Sequence, residues 1–321
     1  MRLLPSALAL LAAPALAEVP QVATDIAPVQ SLVAQVMGEL GAPVQVLPPG
    51  ASPHDHALRP SEAAALERAD LVVWVGPELT PGLGRALDSL GAGAVSLPLL
   101  AAEGTTLRAF AEEAHEEGHD DDHEEDHEEH DEHEDHGAHD DDDDHGHHHE
   151  GTDPHAWLAP QNGAVWLEAI ADSLSALDPE NEATYRANAA AGAAAIAEAT
   201  EVARARLAPV AGARFVTFHD AYGYYTEAFA LADAGAISLG DGAAPGPARL
   251  AALRAEVTEG GIACVFTEPA FDPGLAETLL DGTEAGTAVL DPLGGDLEPG
   301  AGLYPALILD LAEGIAGCLE G

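Results

Sequence analysis

Histidine is the residue type on which the chemistry of this 321-residue chain turns. Twelve of its sixteen histidines fall between Glu112 and Glu150, in a stretch made of little but His, Asp, Glu and Gly. Imidazole is the commonest protein ligand for divalent transition metals, and interleaved carboxylates attract cations and add weaker oxygen donors. The stretch carries twenty-two acidic residues and no basic ones. It holds too few apolar side chains for burial to offset the entropy of ordering it, so a disordered metal-capturing loop is predicted over residues 112–150. A solvated acidic linker is the alternative, and the histidines weigh against it.

The other four histidines, His54, His56, His155 and His219, are far apart along the chain. A metal site assembled from such distant pieces requires a folded scaffold, whereas the loop could bind metal without one. Neighbouring residues of an extended segment point in opposite directions, so His56 is expected to face away from His54.

The elements that must position these residues alternate between strand and helix. Gln21–Thr24, Pro43–Leu47 and Leu71–Gly76 read as strands. Between them, apolar residues at helical spacing run from Ile26 to Leu40, and a helix from Glu62 to Ala69 has Ser61 as its expected cap. In the second half Phe215–Phe218, Gly235–Leu239, Ala263–Thr267 and Ala288–Leu290 read as strands, with His219 and Asp291 where two of them run out. The carboxyl rim of an open parallel sheet is where such folds bind ligands. Between the halves, Asp178 as cap and Pro179 at the first helical position open an alanine-rich helix running to Ala208. The predicted class is α/β: two lobes, each a mostly parallel sheet flanked by helices, joined by one long rigid helix. The expected divisions are 18–178 for the N-terminal lobe, 179–208 for the linking helix and 209–321 for the C-terminal lobe. One stiff helix between lobes restricts their relative motion.

Bulk properties narrow the function. Net charge is −46, no lysine is present and eleven arginines are thinly spread, which excludes the cationic surface that nucleic-acid binding needs. Arg2, the apolar run Leu3–Leu16 and the small residues of Ala15-Leu16-Ala17 predict an export signal over residues 1–17. The run is short for a membrane span, is broken by Pro5 and Pro14, and is followed by no cysteine for a lipid anchor. The expectation is a soluble protein of the bacterial periplasm. In that oxidising compartment the two cysteines, Cys264 and Cys318, are expected to pair.

Six blocks in order carry a resemblance: Pro49–Asp55, Leu58–Ser61, Ala69–Pro77, Asp153–Leu158, Phe218–Tyr224 and Leu290–Gly294. Together with the acidic histidine-rich insertion and both cysteines, they resemble the zinc-specific periplasmic substrate-binding proteins of bacterial ABC transporters. The match extends over essentially the whole mature chain. It implies two α/β lobes with metal held between them, and places the family's three histidine ligands on His54, His155 and His219. Three neutral imidazoles suit Zn²⁺, with tetrahedral geometry and nitrogen bonds of about 2.0–2.1 Å. Some zinc members have a glutamate before the first histidine, where this chain has Pro53. Asp291 matches a ligating aspartate of many relatives and ranks first for the fourth position, ahead of water and of a loop histidine. Manganese and iron relatives usually have a carboxylate where His219 stands, as suits those harder ions.

The implied role is capture of Zn²⁺ and its delivery to an inner-membrane ABC zinc permease, by a monomer, with a periplasmic zinc chaperone as a further candidate partner. No catalytic residues are assigned: three histidines and a water also make a catalytic zinc site, but no H-E-x-x-H or comparable signature is visible. A manganese or iron carrier, a periplasmic zinc buffer and a zinc hydrolase are the alternatives. Asp153 and Asp220 are candidates to hydrogen-bond ligand imidazoles or to cap helices. Tyr222, Tyr224, Tyr225 and Trp157 are expected to pack around the cleft, and Glu268 has no assigned role.

Overall fold

A computed structural model describes residues 19–90, 93–110, 151–238, 246–271 and 274–321; the predicted export signal and the predicted loop at 112–150 lie outside these. The first half runs β1 (Val22–Thr24), α1 (Ala27–Met37), β2 (Val44–Gln45), α2 (Pro60–Leu66), β3 (Leu71–Trp74), α3 (Pro81–Leu90), β4 (Val95–Pro98) and α4 (Pro160–Leu177). Then come α5 (Glu182–Leu207), β5 (Arg214–His219), α6 (Gly223–Phe229), β6 (Asp233–Ser238), α7 (Pro247–Glu259), β7 (Ile262–Thr267), α8 (Gly274–Leu280), β8 (Gly286–Val289) and α9 (Leu303–Glu320).

Among the described residues the strands form two four-stranded sheets, ordered β2-β1-β3-β4 and β6-β5-β7-β8, and every pairing between these strands is parallel. Leu71, Val72 and Val73 of β3 are fully buried, as a strand covered on both faces must be. The α/β class therefore stands.

Helix α5 spans 26 residues, roughly 39 Å at 1.5 Å per residue. Short 3₁₀ turns at Pro179–Asn181 and Ala208–Val210 flank it, so the first predicted turn is tighter than α. Asp178 does not cap that turn with its side chain. Its carboxylate instead accepts from the Tyr185 hydroxyl at 2.9 Å and the Asn181 amide at 2.7 Å. Midway, Gly192 lets α5 seat closely on its neighbours: a Cβ there would meet Gln35 Oε1 at 2.5 Å and Leu167 Cδ1 at 2.9 Å. At its end, Arg206 pairs with both Glu313 and Glu320 of α9.

One continuous core runs through both halves. It joins Val29, Leu32 and Val36 of α1, Trp166 and Ile170 of α4, Tyr185 and Ile196 of α5, Phe215 and Phe266 of the second sheet, and Leu307 and Ile315 of α9. A smaller core of Val216, Ile237, Leu253, Val265 and Leu279 fills the other face of the second sheet. Cys264 on β7 and Cys318 on α9 form a disulfide, with Cα atoms 6.2 Å apart. No helix among the described residues is long and apolar enough to cross a membrane.

The start of α2 differs from expectation. Arg59, not Ser61, occupies the cap, because Pro60 fits the first helical position, where no N–H is required. Glu62 at the third position accepts the Arg59 N–H at 2.7 Å, and the helix ends at Leu66 rather than Ala69.

Candidate metal centre

Each histidine of the centre is delivered by a different device. His54 follows β2 on a turn containing Pro48, Pro49 and Pro53, whose fixed φ angles limit its freedom. His155 lies in Asp153-Pro154-His155, just before the 3₁₀ turn Ala156–Leu158 that leads into α4. His219 is the last residue of β5, at the carboxyl rim of the second sheet. The first half thus contributes two imidazoles and the second half one.

They converge. His54, His155 and His219 each offer a ligand atom within 4.8 Å of the others, an arrangement that could hold a metal ion. Ring centroids are 5.3 Å apart for His54 and His155, 6.3 Å for His54 and His219, and 5.1 Å for His155 and His219. His155 and His219 are buried, and His54 is half-buried.

The buried carboxylates decide which ring nitrogen is offered. Asp153 Oδ1 lies 2.8 Å from His155 Nδ1, and Glu268 Oε1 lies 2.6 Å from His219 Nδ1. A carboxylate accepts, so each Nδ1 carries the proton and each neutral imidazole presents its lone pair at Nε2. The two Nε2 atoms stand 3.4 Å apart. Two lone pairs at that distance repel unless a cation lies between them. The edge of a nitrogen tetrahedron with bonds of about 2.0–2.1 Å is roughly 3.3–3.4 Å, so the spacing fits a zinc ion.

Asp153 also accepts the backbone N–H of His155 at 2.9 Å. Burial pushes its carboxyl up to about 7, opposed by that N–H and by the Arg108 guanidinium. A bound divalent cation would lower it, favouring the ionised form that accepts the His155 Nδ1–H. Burial also raises Asp220, reinforced by the charge of Asp153. The expected aromatic residues pack as struts: Trp157 Nε1 donates to Pro292 O at 2.8 Å, Tyr224 to Asp153 O at 2.9 Å and Tyr225 to Ile308 O at 2.8 Å.

His56 turns away from His54 and reaches Glu62, with Nε2 and Oε2 2.8 Å apart. Asp291 lines the same cleft as the three histidines, a cavity of about 260 Å³ walled by Leu47, Pro49, Trp157, Phe271 and Leu293 among others. Its Oδ1 accepts the Leu293 N–H at 2.8 Å and its Oδ2 the Gly295 N–H at 2.6 Å. Among the described residues, the group with mutually close ligand atoms is the three histidines, without Asp291.

Glu268 is the functional residue whose role the sequence reading leaves unassigned. It follows β7, and the pairing Val216↔Val265 in parallel β5 and β7 sets residues 49 apart side by side, as His219 and Glu268 are. A carboxylate just past an apolar strand was the available signal.

A family model described as zinc-uptake complex component A, periplasmic (ZnuA), matches residues 22–318. The chain belongs to this family. It is 53% identical over 317 residues to the high-affinity zinc uptake system protein ZnuA of Paracoccus denitrificans, covering 98% of this chain and 97% of that one. To the protein of that name from Brucella suis it is 42% identical over 305 residues, covering 93% and 91%. A crystal structure of ZnuA shares the fold with a TM-score of 0.74 at 22% identity, over 94% of this chain and 99% of that one. So does FpvC from Pseudomonas aeruginosa in complex with Mn²⁺, with a TM-score of 0.75 at 20% identity and the same coverage. A fold common to ZnuA and a manganese complex does not choose the metal; the donor atoms of the ZnuA-type cleft must.

Proposed function

We propose that this chain captures Zn²⁺ in the bacterial periplasm and delivers it to an inner-membrane ABC permease for uptake. The observation that carries the reading is the pair of carboxylate-anchored imidazoles whose Nε2 lone pairs face one another at 3.4 Å, with His54 closing the triangle. His54, His155 and His219 are the proposed ligands. Asp291, which lines the same cleft, is the proposed fourth, with water as the second choice. Lobes 18–178 and 209–321 flank the linking helix, so the ion bridges them.

Nitrogen donors favour zinc over manganese or iron, whose sites are richer in oxygen. The role proposed is that of a carrier, in which Asp153 and Glu268 serve to hold ligand imidazoles. It acts as a monomer, and a periplasmic zinc chaperone is a candidate source of its cargo. The histidine-rich stretch adds weaker zinc sites that raise the local concentration of the ion.

Calorimetric titration of the metal-stripped chain with Zn²⁺ tests the reading. It compares the full chain with a deletion of residues 115–149, and with His54→Ala, His155→Ala and His219→Ala in that deletion. One tight site that survives the deletion and is lost in each histidine variant supports it. Tight binding that disappears with the stretch and ignores the three substitutions would make the chain a buffer.

A further inference from the structure

Arg108 stands at a junction between the halves that the zinc ligands do not include. Its chain segment pairs with the one leading to His155: Ala109 and Thr152 form an antiparallel bridge, and the Asp153 N–H donates to Arg108 O at 2.9 Å. Its Nη1 lies 3.4 Å from Asp153 Oδ2, while Asp153 Oδ1 holds His155. On the other side is α6, which begins four residues after His219. The guanidinium carbon sits 5.6 Å from the Tyr224 ring centroid, and Nε is 3.8 Å from Glu227 Oε2. The Tyr224 hydroxyl accepts the Arg108 N–H at 2.9 Å and donates to Asp153 O at 2.9 Å.

The sequence makes room for this side chain at one place. A Cβ on Gly223, the first residue of α6, would fall 1.1 Å from Arg108 Nη1. Glycine there leaves the space the guanidinium fills. The Arg108 charge also acts favourably on buried Asp153 and on the less buried Asp220 and Asp233.

Building on the zinc-site reading above, we propose that Arg108 is a positioning residue for zinc binding. It fastens the Asp153 carboxylate to α6, and so sets His155 from the first half against His219 from the second. Partners that orient metal-bound histidines typically matter by about 10–100-fold in metal affinity. Arg108 orients the orienter of His155, so its removal is expected to weaken zinc binding about 10-fold.

The test uses the full chain and four variants: Arg108→Met, Arg108→Lys, Gly223→Ala, and Arg108→Met combined with Gly223→Ala. Zinc dissociation constants come from competition with a chelator at substoichiometric metal, so that the tightest site is read first. The visible spectrum of the Co²⁺-loaded protein and the melting temperature of the metal-free protein accompany each. Arg108→Met is expected to weaken zinc about 10-fold and change the Co²⁺ spectrum while the metal-free protein melts as the wild type does. Arg108→Lys should restore part of the affinity. Gly223→Ala, which displaces the guanidinium without removing it, should repeat the loss, and the double variant should be no weaker than Arg108→Met alone, because both act on one contact. Affinity and spectrum unchanged in Arg108→Met would overturn the proposal, as would additive losses in the double variant. An affinity loss matched by a lowered metal-free melting temperature, with no rescue by lysine, would reduce Arg108 to a structural role and also overturn it. If the wild-type chain shows no tight site sensitive to His155→Ala, the zinc-site reading itself fails, which is distinguishable from failure of the Arg108 proposal.

Discussion

Replacing Glu268 with glutamine tests the carboxylate anchors of the site. Glu268 is buried beside His219, with a side-chain exposure of 3% and an Oε1 to Nδ1 distance of 2.6 Å. A bound zinc withdraws electrons from the imidazole and polarises its Nδ1–H, so the negative oxygen stabilises the loaded site more than the metal-free one. A hydrogen bond to a charged partner contributes about 1.5–3 kcal/mol and one between neutral groups about 0.5–1.5 kcal/mol. Glutamine retains the acceptor and loses the charge, for a difference of about 1–2 kcal/mol. At 1.4 kcal/mol per decade, zinc should bind about 5–30-fold more weakly. Glu268→Ala also releases control of the tautomer, and its loss should approach about 100-fold. Chelator competition reads the dissociation constants, and thermal melting of the metal-free proteins checks that the fold is intact. Affinities within twofold of wild type for both variants would refute the tautomer argument.

Two further predictions concern the scaffold. Cys264→Ser with Cys318→Ser opens the bridge between β7 and α9 and should lower stability by about 2–5 kcal/mol, read by chemical denaturation of the metal-free protein. An unchanged midpoint would show that the bridge contributes nothing beyond the packing of α9. Burial raises the carboxyl of Asp25 from the ordinary 3.8 to about 7, although it accepts the Val75 and Ile26 N–H groups at 2.8 Å each. The folded chain therefore holds a proton there that the unfolded chain releases. This stabilises the fold at low pH and is lost as pH rises from about 4 to 7, by on the order of 4 kcal/mol for this residue alone. Asp25→Asn should flatten the pH dependence of denaturation over that window; an unchanged slope would show that Asp25 does not hold the proton.

What the sequence reveals of this molecule follows from where each signal resides. Strands such as Leu71–Trp74 are short apolar runs bounded by turns, so both they and the parallel sheets they imply are legible. His219 is legible because it ends one of those runs, and His155 because it belongs to a compact Asp-Pro-His block. The role of Glu268 is not, because it depends on β5 lying beside β7, and strand order is not written in any local pattern. Arg108 is hidden for the same reason: its meaning comes from a glycine 115 residues away, at Gly223. Edge strand β4 is inconspicuous because Val95 and Ser96 are exposed. Ser61 misleads because a proline at the first helical position outranks a hydroxyl one residue later.

The most direct test of the central claim is anomalous diffraction at the zinc absorption edge, from crystals grown with one equivalent of Zn²⁺. One strong peak about 2.0–2.1 Å from a nitrogen of each of His54, His155 and His219 is the expected result. Anomalous density confined to other residues, with none in this cleft, would contradict the account.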